Sequence, residues 1–403
     1  MAGGPRGFWN SCLMRINHFE IAGRKIGPGE PCFIIVELSC NHEGSIDNAK
    51  ELIRAAAEAG ADAVKLQTYT ADTITRDFQH LPHGTMWEST DLYSLYKKAY
   101  TPWEWHEELK DLADELELVF FSSPFDETAV DFLVDLGAPA LKIASFEVVD
   151  TKLLERAAST GLPILMSSGM TSFLELQEAV QVLRGAGCKQ LALFQCNSGY
   201  PSSFDEANLT TIPVMQKLFN VPVGLSDHII FADAESTEDV VPHVSALESV
   251  RLGANLIEVH LTMDREQARE LHREGRGGFD WAFSRTPPEL KKMIDCIRRF
   301  ETDGEYEYHS DLERDCAARA RGAVSFEPSP REIASRSLRP SLWITRAVSK
   351  GEKLSFAAGT EKGNFDSLRP SLGLHVRFTG LIENCTATRD LKPGEPVTWE
   401  MLT

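Results

Sequence analysis

The chain has 403 residues, of which 42% are hydrophobic and 25% charged, as in a soluble globular protein, and its formal charge is −19. So negative a chain gives no reason to expect nucleic-acid binding, and an anionic ligand must be held by local lysine, arginine, backbone N–H groups or a metal. Eight cysteines without close pairs suggest neither a zinc knuckle nor a disulfide framework. A reducing cytoplasm fits that usage, the leader MAGGPRGFWN lacks the apolar region of a secretory signal, and no later run is long enough to span a membrane.

Residues 15–31 (RINHFEIAGRKIGPGEP) read as a short hairpin that closes the bottom of the unit behind it, with glycine turns at Gly23 and at 27–29. Eight short apolar runs follow, each succeeded by a helix-length segment. They are FIIVEL (33–38), AVKLQ (63–67), LVFFS (118–122), ALKIA (140–144), PILMS (163–167), LALFQ (191–195), VGLS (223–226) and LIEVH (256–260). Helices are expected near 45–59, 102–116, 127–136, 150–159, 172–185, 206–219 and 287–300.

Three connections are longer than the pattern needs. Residues 69–101, with Trp87, Tyr93, Tyr96 and Tyr100, read equally as a lid or dimer contact and as a substrate wall. An acidic insert occupies 231–250, and 265–278 (REQARELHREGRGG) extends the loop after the eighth strand. Residues 301–335 read as a linker holding one helix. From Ser337 the grammar changes to short β runs and Lys-Gly-Glu turns, so 337–403 is expected to be a small β-rich module whose thin core leans on something larger.

Eight β/α units in about 265 residues match a closed (β/α)8 TIM barrel, placed at 15–300, in preference to an open doubly wound sheet. The polar residues favour this choice. Glu37, Gln67, Ser122, Lys142, Ser145, Ser167, Cys196, Ser226 and His260 all fall at or near C-terminal strand ends, where barrel enzymes assemble their sites.

The strand ends also suggest the chemistry. His228 and His260 close the adjacent strands seven and eight and are placed to share one divalent ion. Lys142 with Ser123, Ser145, Ser167 and Ser226 suits a phosphate, held by charge and directed hydrogen bonds. A Schiff-base lysine, as in an aldolase, is the competing chemistry for Lys142. Glu147 and Glu37 are the acid/base candidates, although either alone also suits a salt bridge.

Several ordered stretches carry a resemblance: 37–44 (ELSCNHEG), 60–68 (GADAVKLQT), 121–126 (FSSPFD), 142–147 (KIASFE), 168–170 (SGM), 224–228 (GLSDH) and 282–284 (AFS). Together they resemble the N-acetylneuraminate synthase family, which condenses phosphoenolpyruvate with an acylated amino sugar. The last module resembles that family's antifreeze-like (SAF) domain. KLQTYTADTIT (65–75), the YTPWEWH core of 92–109 and FDWAFS (279–284) are most similar to the pseudaminic acid synthase branch, whose acceptor is 2,4-diacetamido-2,4,6-trideoxy-L-altrose.

The resemblance implies phosphoenolpyruvate contacts at Lys142, Ser123, Ser145, Ser167, Ser198 and Ser226, with Lys65 also among the substrate-binding residues. It implies manganese or magnesium at His228 and His260, an acid/base role for Glu147 and an active-site carboxylate at Glu37. Sugar contacts are implied for Gln67, Tyr200 and Asp280. Arg369 is expected to reach into a partner's barrel, in a domain-swapped homodimer. An acceptor from N-acetylneuraminate or legionaminic acid synthesis, or a catalytically weakened binding or scaffolding role, are the competing readings. Two departures from the family pattern stand out: Val259 replaces a lysine, which would remove a charge beside the metal, and Ser371 replaces a glycine after Arg-Pro.

Overall fold

A buried strand alternates its side chains between two faces, so the apolar runs divide into residues for a barrel interior and residues for a helical coat. The computed structural model describes residues 17–78, 80–230 and 241–403. Its eight strands are β1 Phe33–Glu37, β2 Ala63–Thr68, β3 Val119–Pro124, β4 Leu141–Ile143, β5 Ile164–Ser167, β6 Leu191–Cys196, β7 Val223–Asp227 and β8 Leu256–His260. They are parallel and close in chain order, with β8 pairing β1 so that His260 lies opposite Glu37.

The coat is α1 Ile46–Ala59, α2 His106–Glu115, α3 Glu127–Asp135, α4 Thr151–Ser159, α5 Phe173–Gly185, α6 Thr211–Phe219, α7 Val244–Arg251 and α8 Pro287–Asp303. Local chemistry sets their ends. The Ser45 hydroxyl accepts the Asn48 N–H at the start of α1, and Gly60 at φ 89° ends it. Capping boxes open α5 (Ser172 with Glu175) and α8 (Thr286 with Glu289).

Inside the barrel, the lower layer is apolar. Phe33, Phe121 and Phe194 form one cluster with Phe19, Ile21 and Ile26 of the N-terminal hairpin, whose strands are Phe19–Ile21 and Arg24–Ile26. The hairpin therefore plugs the bottom, as its sequence suggests, and the inward-facing residues above that layer are polar.

The stretch after α8 is packed and carries two helices, Asp311–Arg321 and Pro330–Ser335, where one was expected. Cys316 and Ala317 of the first bury against Val241 and Val244 beside α7. The C-terminal module then pairs β9 Ser341–Ile344 antiparallel to β10 Phe365–Leu368. Its small core includes Val149 from the barrel rim, and Trp343 stacks on Phe78 at 4.1 Å. The module thus completes its core on the barrel.

Candidate active site at the barrel mouth

The register of the closed sheet brings the strand ends into one pocket. It encloses about 880 Å³, open mouth included, and its floor is polar. There Lys142 Nζ donates to Ser167 Oγ at 2.7 Å and stands 3.4 Å from Glu258 Oε1. Lys65 pairs with Glu37, donates to Ser123 Oγ at 3.2 Å and lies 3.9 Å from Glu258 Oε2. Ser226 Oγ donates to Glu258 Oε1 at 2.9 Å, while Ser145 lines the same floor.

These groups shift one another's ionisation. Burial brings Lys65 down to about 7, with Glu258 offsetting part of the effect. Burial also works against the Glu258 carboxylate, but Lys142 and Lys65 outweigh it and hold that group at about 2. The floor is therefore a site of two ammonium groups sharing carboxylates, surrounded by hydroxyls, and an incoming phosphate meets charge and donors together.

His228 and His260 stand side by side above the floor, ring centroids 5.2 Å apart. His228 Nδ1 donates to the Asn197 carbonyl at 3.1 Å, and His260 Nδ1 is 3.2 Å from Asp280 Oδ2. That leaves Nε2 of each ring as the nitrogen for a ligand. Burial lowers the His260 pKa despite Asp280, whereas for His228 the neighbouring Cys196 outweighs burial and raises it. Asp280 also accepts from Ser39 Oγ at 2.5 Å, and Ser39 Oγ in turn accepts from Gln67 Nε2 at 3.2 Å. Gln67, Asp280 and the two histidines thus share one side of the pocket. Among the described residues no group of three or more His, Cys, Asp or Glu is arranged to hold a metal ion.

The upper wall comes from the 69–101 excursion, which forms helices Ala71–Ile74 and Leu92–Ala99. Ile74, Trp87, Leu95 and Tyr96 face the pocket together with Phe279 and Tyr200. The excursion thus forms part of the pocket wall. Within the one chain, Arg369 descends from the module into the barrel mouth. It pairs with Glu147, donates to Tyr96 Oη at 2.7 Å and lies over the Phe146 ring at 4.3 Å.

With this geometry in view, a comparison with family models is decisive: the NeuB family model matches residues 52–307. The chain belongs to the NeuB family. A pseudaminic acid synthase of Helicobacter pylori is 35% identical over 372 residues, covering 91% of this chain and 97% of that protein. An N,N'-diacetyllegionaminic acid synthase of Legionella pneumophila is 32% identical over 382 residues, with coverage of 93% and 95%. The crystal structure of a Bacillus subtilis spore coat polysaccharide biosynthesis protein matches with a TM-score of 0.76 at 30% identity, covering 96% of this chain and 99% of that one. This NeuB chain is accordingly a phosphoenolpyruvate-dependent enzyme of the nonulosonic acid synthase type.

Several residues of the expected NeuB site lie away from the pocket surface. Glu147 does not line the pocket. It is buried behind the wall, where it pairs with Arg369. Ser198 is likewise fully buried one layer back, its Oγ 3.5 Å from Cys196 Sγ.

Val259 does not lie beside the histidines. It points outward into the apolar layer under the helices, because it alternates with the inward Glu258 and His260. Glu258, absent from the expected site, is its central carboxylate; counting two back from His260 would have found it.

The 265–278 insert forms a helix, Arg265–Arg273, whose Ala268 packs against Trp281 behind the pocket. Of the acidic insert, 231–240 lies outside the described residues. Among the described residues no helix is long and apolar enough to cross a membrane.

Proposed function

We propose that this enzyme joins phosphoenolpyruvate to 2,4-diacetamido-2,4,6-trideoxy-L-altrose and, with water, forms pseudaminic acid and inorganic phosphate. The observation that carries the reading is the polarity of one pocket: paired lysines among serine hydroxyls at the floor, apolar and aromatic side chains with one arginine at the mouth. The floor suits the phosphate and carboxylate of phosphoenolpyruvate. The wall suits the C6 methyl and acetamido methyls of a 6-deoxy sugar.

Carbon 3 of phosphoenolpyruvate bonds to the acceptor aldehyde carbon, water adds at carbon 2, and phosphate leaves by C–O cleavage. Lys142 and the hydroxyls of Ser167, Ser123, Ser145 and Ser226 neutralise and orient the phosphate throughout. Lys65, ionising near neutrality beside Glu37, forms with it the pair that exchanges protons with the reacting centre. Gln67, Tyr200 and Asp280 contact the sugar, and Arg369, aligned by Glu147, closes over it.

A manganese or magnesium ion fits the His228–His260 pair, whose Nε2 atoms are left for coordination, with water and substrate oxygens completing the shell. Such an ion would polarise the acceptor aldehyde.

The test is manganese-dependent phosphate release from phosphoenolpyruvate with three acceptors: the trideoxy-altrose, N-acetylmannosamine and the legionaminic acid precursor. A hydroxyl placed against an apolar wall is rejected by about 10²-fold at most, so the trideoxy-altrose is expected to lead by up to that factor. A lead for another sugar overturns the acceptor assignment, and no release with any of them overturns the reaction. The mouth contacts of Arg369 can be made within one chain or by module exchange in a homodimer. Mixing Arg369→Ala with Lys142→Ala chains separates the two: activity returns only if the module serves a partner.

A further inference from the structure

The segment between barrel and module carries a buried carboxylate that none of the steps above uses. Glu332, 4% exposed, lies on the helix Pro330–Ser335. Its Oε2 accepts the Ser329 N–H at 2.8 Å in a capping box, which is all that the helix start requires. Its Oε1 does something else: it accepts the backbone N–H of Met170 at 2.7 Å and of Ser198 at 2.8 Å. Those residues belong to the loops after β5 and β6, so one oxygen ties two rim loops together.

Each loop bears on the site. Met170 has φ +60°, and its carbonyl accepts Arg336 Nε at 2.9 Å and Arg339 Nη2 at 2.7 Å from the same segment. The unusual turn is thus gripped from outside. The residue before it is Gly169, where a Cβ would lie 2.1 Å from Ser198 Oγ and 2.7 Å from Ser145 Oγ. The turn therefore sets bare backbone against the Ser145 hydroxyl of the pocket floor and the Ser198 hydroxyl behind it. In the second loop, a single peptide unit links Glu332 to a histidine. Its N–H, from Ser198, donates to Glu332, and its carbonyl, from Asn197, accepts His228 Nδ1 at 3.1 Å. A carboxylate drawing on the N–H strengthens the carbonyl as an acceptor across the same peptide.

We propose that Glu332 is a positioning residue for the condensation: through the Asn197–Ser198 peptide it fixes His228 with Nδ1 as donor and Nε2 free for a ligand, and through Met170 it packs Gly169 against Ser145 and Ser198. This rests on the reading of His228 as a metal ligand and of Ser145 as part of the phosphate end. It makes the connecting segment part of the active site's architecture.

The test compares wild type, Glu332→Gln and Ile333→Gly. Ile333 is 62% exposed on the same helix, so its replacement loosens that helix while leaving the Glu332 carboxylate in the chain. Three quantities are measured: manganese affinity by calorimetry without substrates, the rise in melting temperature given by phosphoenolpyruvate in metal-free buffer, and kcat and KM for phosphoenolpyruvate. Glu332→Gln is expected to lose about 10–100-fold in manganese affinity and in kcat/KM, as changes behind metal ligands do, and to show a smaller phosphoenolpyruvate shift. Ile333→Gly is expected to lower the melting temperature while keeping manganese affinity within about twofold of wild type.

Equal manganese and phosphoenolpyruvate binding in Glu332→Gln and wild type overturns the inference, as does an equal loss in Ile333→Gly. Should Glu332→Gln fail to fold, Glu332→Asp, charged but one methylene shorter, is read by the same criteria, with a smaller loss expected. A wild type that binds no manganese and releases no phosphate refutes the functional reading instead.

Discussion

Glu258→Gln tests the charge balance of the floor. Glu258 is the carboxylate within 4 Å of Lys142, at 3.4 Å, and both side chains are almost fully buried. At an effective dielectric constant of about 20 the attraction across that distance is about 5 kcal/mol, before desolvation is subtracted. Removing one member of such a buried pair costs about 3–5 kcal/mol net, because the other charge is left behind. Glutamine keeps the shape and can still accept from Ser226, so the loss is electrostatic. At roughly 2.1 cal/mol/K of unfolding entropy per residue, the ligand-free variant is expected to melt about 4–6 °C below wild type.

Phosphoenolpyruvate brings negative charge to the same ammonium group, so the deficit is expected to shrink as the ligand is added. Thermal melts of both proteins in metal-free buffer across a phosphoenolpyruvate series measure this directly. Equal stability without ligand, or a deficit that ligand does not change, would refute the assignment of Glu258 as the counter-ion of Lys142.

Two further outcomes follow from contacts at the mouth. Arg369→Ala strands the buried Glu147 carboxylate, whose Oε2 already lacks a partner. A loss of about 3–5 kcal/mol is expected in denaturant melts; adding Glu147→Gln should restore most of the stability but not kcat/KM for the sugar. Trp87→Ala removes an indole that donates to the Phe279 carbonyl at 3.0 Å, and should lower the preference for the 6-deoxy acceptor over N-acetylmannosamine in competition assays.

Asp366, on the module side of the docking surface, is raised from 3.8 to about 7 by burial, with Asp126 and Asp150 of the barrel adding repulsion and the Ser367 and Gly359 N–H groups offsetting part. Because the folded-state pKa is the higher one, its contribution is full below about pH 4 and is lost as pH rises through 7, up to about 4 kcal/mol. The melting temperature of Asp366→Asn should therefore fall less than that of wild type between pH 5 and 8; parallel slopes would contradict the assignment.

The barrel was legible because its signal is local. Eight apolar runs with polar ends state both the repeat and the face on which the site lies. Alternation within one strand was legible too, although using it required anchoring on His260; from there Glu258 turns inward and Val259 outward. What could not be read were contacts between distant segments. Nothing near Glu147 announces that Arg369 will neutralise it, 222 positions later. Nothing near Glu332 marks its two backbone partners, 162 and 134 positions away. The excursion at 69–101 was ambiguous for a related reason: aromatic residues on a long loop serve a wall or an interface equally well until the loop's docking site is known.

The hairpin under the barrel has a kinetic consequence. With Phe19, Ile21 and Ile26 filling the lower opening, the pocket is a blind well with one entrance. On the proposed reading, with phosphoenolpyruvate at the floor and the sugar above it, phosphoenolpyruvate is expected to enter first and phosphate to leave after the new acid. Sequential kinetics are therefore expected, with free phosphate competing with phosphoenolpyruvate and not with the acceptor.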